Sequence, residues 1–284
     1  MKNSLLAGMA ALVILASCSK YDRDVILVIN DDLEFRADDI SLYDSSTHIH
    51  YLKRTHSELE DIETGSFGFY DRGRAVLTGT IWPAHMSSMP STPFIMTSPF
   101  MYQSFAIRID TWGNNDQALI NNAEMTALMN RHGLLHSGLA LTAVAPVISG
   151  SEMSFTMTVT NMDESDLLIL DPEKTGSGLF KYFSNGLYLY DPDDNSEVFA
   201  DNIAHQVPDP WNSWSTDWLT KLGPGESKTF IFSYTLTTIP AAGQYRVVFE
   251  FPGLSYQVSA DELYQGSSRI WLGDVLFSQV MTVQ

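Results

Sequence analysis

Apolar and polar residues alternate with a period of two along much of this chain, the pattern of half-buried β-strands. Met153, Phe155, Met157 and Val159 alternate with Ser154, Thr156, Thr158 and Thr160 until Asn161. Phe230, Phe232, Tyr234 and Leu236 repeat the pattern, as do Tyr245, Val247, Phe249 and Phe251 after the turn Pro240-Ala241-Ala242-Gly243. Leu187 to Tyr190 and Glu197 to Phe199 bracket the acidic run Asp191-Pro192-Asp193-Asp194-Asn195. Short strands between turn signals predict an antiparallel β-sandwich over residues 137–284.

Residues 25–136 read differently. Val25 to Ile29 is an apolar run, and Ser41 to Tyr43 and His48 to Leu52 flank the polar cluster Asp44-Ser45-Ser46-Thr47. Phe67 to Tyr70 and Ala75 to Gly79 flank Asp71-Arg72-Gly73-Arg74, a hairpin signal. Phe105, Ile107 and Ile109 alternate after a Pro-rich loop over residues 82–99. One helix is expected between residues 115 and 132. Asn121 and Glu124 have capping-box spacing, Leu119, Ala123, Ala127 and Leu128 form a stripe, and Gly133 is a natural stop. A single helix laid on a sheet makes this an α+β unit. The expected fold class is therefore mainly β, an N-terminal α+β domain followed by an immunoglobulin-like sandwich.

The first residues belong to neither unit. Lys2 precedes an apolar run from Leu5 to Leu15, too short to span a bilayer, which needs about 20 residues. That is the shape of a secretory signal. Leu15-Ala16-Ser17-Cys18 resembles the lipobox of bacterial lipoproteins, and Cys18 is the only cysteine. The resemblance implies cleavage after residue 17, thioether lipidation of Cys18 with acyl chains such as palmitate, and a tether over 18–24. Ser19 fits outer-membrane sorting in that family, and Lys20 followed by acids is similar to surface-export signals. Two or more acyl chains anchor stably. In the C-terminal half, Phe155 to Asn161, Leu222-Gly-Pro-Gly-Glu-Ser-Lys228 and Ala242-Gly-Gln-Tyr-Arg-Val247 resemble immunoglobulin-like accessory domains of bacterial exported proteins. They are also similar to the intracellular proteinase-inhibitor-like domain, and the likeness speaks to fold rather than function.

Charge narrows the partners. Lys plus Arg is 16 and Asp plus Glu is 34, a net −18. Such a surface repels phosphate backbones and anionic headgroups, so nucleic acid is excluded and only lipid on Cys18 is expected to hold the chain to a membrane. After lipidation no thiol is left for catalysis, for a disulfide or for a cysteine-type metal site. Glycine-rich phosphate loops, Gly-x-Ser-x-Gly and His-Glu-x-x-His are absent from the sequence.

Four clusters carry candidate chemistry. His48 and His50 share a strand face, with His56 or His85 as further imidazoles, which suits zinc or copper; polar residues on a wet edge strand are the plainer account. His85, Met86, Met89, Met96 and Met101 suit Cu(I), or fill gaps beneath a loop. The Asp191, Asp193, Asn195, Glu197 run has calcium-loop chemistry but reads as an acidic hairpin turn. Trp211, Trp214 and Trp218 stack on sugar rings in one reading, with Asn212 and Asp217 binding hydroxyls. In the other they share one face of a helical turn and anchor it to the core. Residues 161–217 carry 12 acids against Lys174 and Lys181, so a sugar bound there is expected to be neutral. No metal or cofactor is assigned. The expectation is an outer-membrane lipoprotein without enzymatic activity, with a binding or structural role at the cell envelope, the ligand being a neutral glycan or a protein. The competing class is an envelope hydrolase using carboxylates or a metal, which would show a concave cluster of polar groups with perturbed pKa values.

Overall fold

A computed structural model describes residues 21–22, 24–88, 90–97, 102–111 and 122–284. Cys18, Met89, Met101, Leu119 and Asn121 lie outside the described residues. The N-terminal strands are β1 (Val25–Ile29), β2 (Leu33–Arg36), β3 (Ile40–Asp44), β4 (Ile49–Leu52) and β5 (Gly65–Asp71). They continue with β6 (Arg74–Trp82), β7 (Phe94–Met96), β8 (Tyr102–Gln103), β9 (Ala106–Arg108) and, after helix α1 (Ala123–Arg131), β10 (Leu135–His136). They form two five-stranded sheets, ordered β2-β1-β5-β6-β7 and β10-β3-β4-β9-β8. Strand β7 lies inside the stretch read as a loop, paired in parallel with β6.

The sequence signals explain the local geometry. Arg72 and Gly73 both have positive φ, the two-residue turn that matches strand twist. Helix α1 is capped by Asn122, one residue beyond the expected Asn121, its side chain accepting from Met125 N. The buried stripe is Met125, Leu128 and Met129, whereas Ala123 and Ala127 face solvent. The larger side chains take the core because they remove more apolar area from water. Gly133, with φ +66, ends the helix, and Leu134 N donates to Met129 O at 2.9 Å.

The C-terminal strands are β11 (Leu139–Ser149), β12 (Glu152–Asn161), β13 (Leu167–Leu170), β14 (Gly186–Tyr190), β15 (Glu197–Ala200) and β16 (Leu219–Leu222). The last five are β17 (Ser227–Thr235), β18 (Gly243–Pro252), β19 (Tyr264–Gln265), β20 (Ser268–Ile270) and β21 (Asp274–Val283). Helices α2 (Pro172–Thr175) and α3 (Ser177–Phe183) follow β13. Sheet β11-β12-β17 faces sheet β15-β14-β18-β21, and β16-β13-β20-β19 lies beside them. Met153, Phe155, Met157 and Val159 are all buried, as the alternation requires. Phe155 meets Phe249 across the layers at 5.4 Å, and Phe232 meets Phe249 at 4.9 Å. The mainly β, sandwich-like class read from the sequence is the class of the fold.

Residue 137 falls between β10 and β11, and much crosses there. Leu42, Ile49, Tyr51, Phe105 and Ala106 join the core of the C-terminal sheets. Arg269, 1% exposed, sends Nη2 to Asp44 Oδ2 at 2.9 Å and to Asp163 Oδ2 at 3.2 Å, and Nη1 to the Tyr51 hydroxyl at 3.1 Å. Both carboxylates are fully buried. Burial alone would raise the Asp163 pKa, but a hydrogen bond from His136 and the nearby Arg269 charge hold it down at about 2. The polar cluster at Asp44 is thus an internal ion-pair site, and Trp271 Nε1 donates to Ser46 Oγ beside it. Removing one partner of a buried pair strands a charge and costs about 3–5 kcal/mol. Arg269→Met should destabilise the whole chain by about that much in urea unfolding, and Asp44→Asn by less.

His48 and His50 do not form a wet chelating face. His48 sits in the turn with φ +57 and bonds the Tyr43 hydroxyl through Nδ1 at 2.8 Å. His50 is wholly buried between the rings of Tyr43 and Phe69, at 4.4 and 4.6 Å. Burial, helped by His48, pushes the His50 pKa down to about 3. In the unfolded chain it titrates near 6.5. The unfolded state therefore takes up a proton first as the pH falls below about 6.5, and stability is lost between there and pH 3. Stability should be flat above pH 7 and drop by at most about 1.4 kcal/mol per unit below 6 from this group. Asp163 adds a later loss between about pH 4 and 2. His50→Phe should remove the first phase and keep the second, read as melting temperature against pH.

Candidate functional site

The tryptophans of residues 211–218 do not share one helical face. Ser215 is extended, with φ −139 and ψ 141, and only Thr216–Trp218 turn as a short 3-10 segment. The serine caps that segment through Oγ and so divides the run. Each ring then finds its own partner. Trp214 Nε1 donates to Glu262 Oε2 at 3.4 Å, and Trp218 packs 6.1 Å from Phe183. Both are half-buried against the sandwich core. Trp211 is 46% exposed, and its ring lies 5.1 Å from that of Tyr256. Asn212 and Asp217 are exposed.

Trp211 points to a cleft that the sequence did not reveal. It measures ≈ 250 Å³ and is lined chiefly by Arg108, Tyr182, Phe183, Tyr256, Gln257 and Asp274. Helix α3 supplies Tyr182 and Phe183, and β9 brings Arg108 from the N-terminal half. The loop after β18 supplies Tyr256 and Gln257, and β21 opens with Asp274. The Tyr182 and Tyr256 hydroxyls are 2.8 Å apart, and Tyr182 also donates to the Trp211 carbonyl at 3.3 Å. Tyr182, Phe183 and Tyr256 line the cleft, and Trp211 packs on Tyr256 outside that lining.

The opposite side is polar, with more carboxyl groups than cations. Arg108 grips Asp274 with two bonds, at 2.5 and 2.9 Å, and lies 3.4 Å from Asp110. A bidentate fork holds the guanidinium in one orientation. Glu250 lies behind, where Asn185 donates to its Oε2. Burial first, then the charges of Asp274 and Asp110, push the Glu250 pKa up to about 7 against the pull of Asn185 and Arg108. Burial raises Asp110 too, against Arg108. The cleft offers stacking surface, the Gln257 amide and the Asp274 carboxylate, while Glu250 and Asp110 lie outside its lining. Arg108, on a β9 residue between two apolar neighbours, was legible only as a polar strand position; nothing in the sequence pairs it with residue 274.

The remaining candidates are dispersed. His85 and Met86 are exposed on a loop closed by Trp82 Nε1 donating to Ser88 O at 2.8 Å, and Met96 lies in β7. His136 bonds Asp163 at 2.8 Å, away from His132 at the end of α1. Asp191 and Asp194 accept backbone N–H groups within the β14–β15 turn, the acidic hairpin that was expected. Among the described residues no group of three His, Cys, Asp or Glu side chains is placed to hold a metal ion.

No protein-family model matches this chain, and no curated protein matches it. Among solved structures, a β-glucosidase from Listeria innocua in complex with glucose is similar over 51% of this chain and 16% of its own, with 12% identity and a TM-score of 0.22. A β-glucosidase from Kluyveromyces marxianus in complex with glucose is similar over 51% and 15%, with 13% identity and a TM-score of 0.21. This chain covers less than a fifth of either.

If Trp218 anchors the sandwich and Trp211 serves the cleft, their truncations should differ. Trp218→Ala should lower stability by about 2 kcal/mol, below the about 3–5 typical of a fully buried aromatic because it is half-buried. Trp211→Ala should stay within about 1 kcal/mol of the parent, both read by chemical denaturation.

Proposed function

We propose that this chain is a lipid-anchored protein of the bacterial envelope that binds a neutral sugar without transforming it, in the cleft beside Tyr256. The observation that carries the binding reading is the aromatic lining of Tyr182, Phe183 and Tyr256, with Trp211 packed on Tyr256 outside it, beside an Arg108 charge already matched by carboxylates. Aromatic faces accept the apolar C–H side of a sugar ring, while Gln257 and Asp274 are suited to its hydroxyls. An anionic ligand would meet Asp110, Asp274 and Glu250 around one arginine. The anchoring reading is supported by Cys18, the only cysteine, at the end of Leu15-Ala16-Ser17.

Two measurements test this. Cys18→Ala should move the protein from the envelope fraction to the soluble one, and a variant that still sediments at high salt refutes the anchor. On a glycan array, binding should favour neutral sugars and change little between low and high salt. Tyr256→Ala should weaken it by about three- to tenfold at unchanged melting temperature. An array blank for the parent protein refutes the sugar reading.

One observation favours a second reading. A carboxyl held up to about 7 beside carboxylates of different environment is how a general acid and a base are set apart. In that reading Glu250, which lies behind the cleft lining beside Asp274, would act as acid on a glycosidic or similar bond once the lining opens to it. Turnover of chromogenic glycosides that Glu250→Gln abolishes would establish it over the binding role.

A further inference from the structure

Strand β17 is the open edge of its sheet: among the described residues it pairs with β12 on one side and with no strand on the other. It runs nine residues, Ser227–Thr235, in unbroken register, with no proline, glycine or bulge. Exposed edges are usually blunted by such devices or by a charge, because they offer a row of unpaired backbone groups. The one charge here, Lys228, is drawn away to Asp171 and Glu173, at 2.6 and 2.8 Å.

The register says which groups face out. Leu236 N donates to Ser151 O, and Asn161 N donates to Glu226 O. Hydrogen-bonded pairs alternate along an antiparallel ladder, so the even residues of β17 bond to β12. The N–H and C=O groups of Ser227, Thr229, Ile231, Ser233 and Thr235 therefore point to the open side. Ile231, at their centre, is 71% exposed. Beside the strand lies a cleft of ≈ 170 Å³ whose walls include Phe180, Phe230, Phe232 and Tyr234.

We propose that a second copy of this chain occupies the edge, β17 against β17, antiparallel about a two-fold axis at Ile231. The sequence of the strand is complementary to itself in that register. Ile231 meets Ile231, Thr229 meets Ser233, and Ser227 meets Thr235. Hydroxyl pairs of this kind already join β12 to β17, where Thr158 meets Thr229 and Thr160 meets Ser227, each at 2.8 Å. On the inner face Phe230 meets Phe232, whose half-exposed ring gains a cover. Lys228 meets Tyr234, so no like charges stand opposite. Five pairs exchange two bonds each, about ten in all. The three-stranded sheets merge into one of six strands with both inner edges closed.

Sedimentation velocity of the full chain carrying Cys18→Ala is the test. A monomer–dimer equilibrium is expected, and because each chain carries −18 it should tighten as salt rises. Ile231→Lys, at an exposed position, should raise the dimer dissociation constant by at least about tenfold with no change in melting temperature; Ser233→Lys is a second such variant. Spin labels introduced at residue 231 should lie on the axis, with backbones about 5.5 Å apart. Labels at 227 and at 235 should each give a separation of about 27 Å, eight residues of strand. A monomer at every concentration overturns the proposal and leaves the edge to a foreign strand. A dimer indifferent to both lysine variants, or label distances out of this order, overturns it as well.

Discussion

A buried guanidinium holds the two halves of this protein in register. Arg269 lies among Asp44 and Tyr51 of the β3–β4 hairpin and Asp163 after β12, so two distant stretches of chain meet on it. A charge taken out of water must be compensated where it lies, so the position of Arg269 dictates the positions of two carboxylates and a hydroxyl. Asp44 fixes the β3–β4 hairpin, since its other oxygen accepts from Ser46 N and Oγ. Asp163 fixes the turn after β12, through His136 on one side and Ser165 on the other. Hydrophobic area alone would leave the two sheet systems free to slide; directional bonds to a charge do not.

Arg108 repeats the device at the opposite rim of the seam, and there it makes a site. It is partly open to solvent, at 12% side-chain exposure, where Arg269 is sealed. Its carboxylates, Asp110 and Asp274, again come from the two halves. Where Arg269 is enclosed by packed side chains, Arg108 borders a cleft with an aromatic wall. The acidic excess of the chain is thus arranged around a few cations at the joins, with the rest of the acids left on turns such as Asp191 to Asn195.

The legible part of the fold was the part written in a single strand. Alternation placed β12 and β18 within two residues and β17 within three, because one side of each strand faces a core and the other faces water. Gly133 and the Arg72-Gly73 turn were legible because backbone conformation restricts the residue type. What was missed depended on partners far along the chain. Asp44 read as a solvated turn because polar clusters between strands usually are, and Arg269 is 225 residues away. His50 read as polar because composition cannot show that Tyr43 and Phe69 enclose it. The tryptophan run was legible as a group but not in its division, since Ser215 acts as a cap only once Thr216–Trp218 turn. The cleft was hidden for the same reason as the ion pairs: α3, β9, β21 and the loop after β18 meet only in three dimensions.

The order of synthesis turns the placement of Arg269 into a kinetic constraint. It is made 225 residues after Asp44, the carboxylate it compensates. Contacts of such long sequence separation close late, because the entropy of the intervening loop is lost before any contact repays it. Until residue 269 is made, Asp44 has only the local Ser46 bonds and water to solvate its charge, and the hairpin that carries it cannot be buried. The N-terminal sheets therefore wait, open at one face, for β20 to arrive. A nascent chain of this design is exposed to aggregation while those 225 residues are made and becomes resistant to it once Arg269 closes the pair.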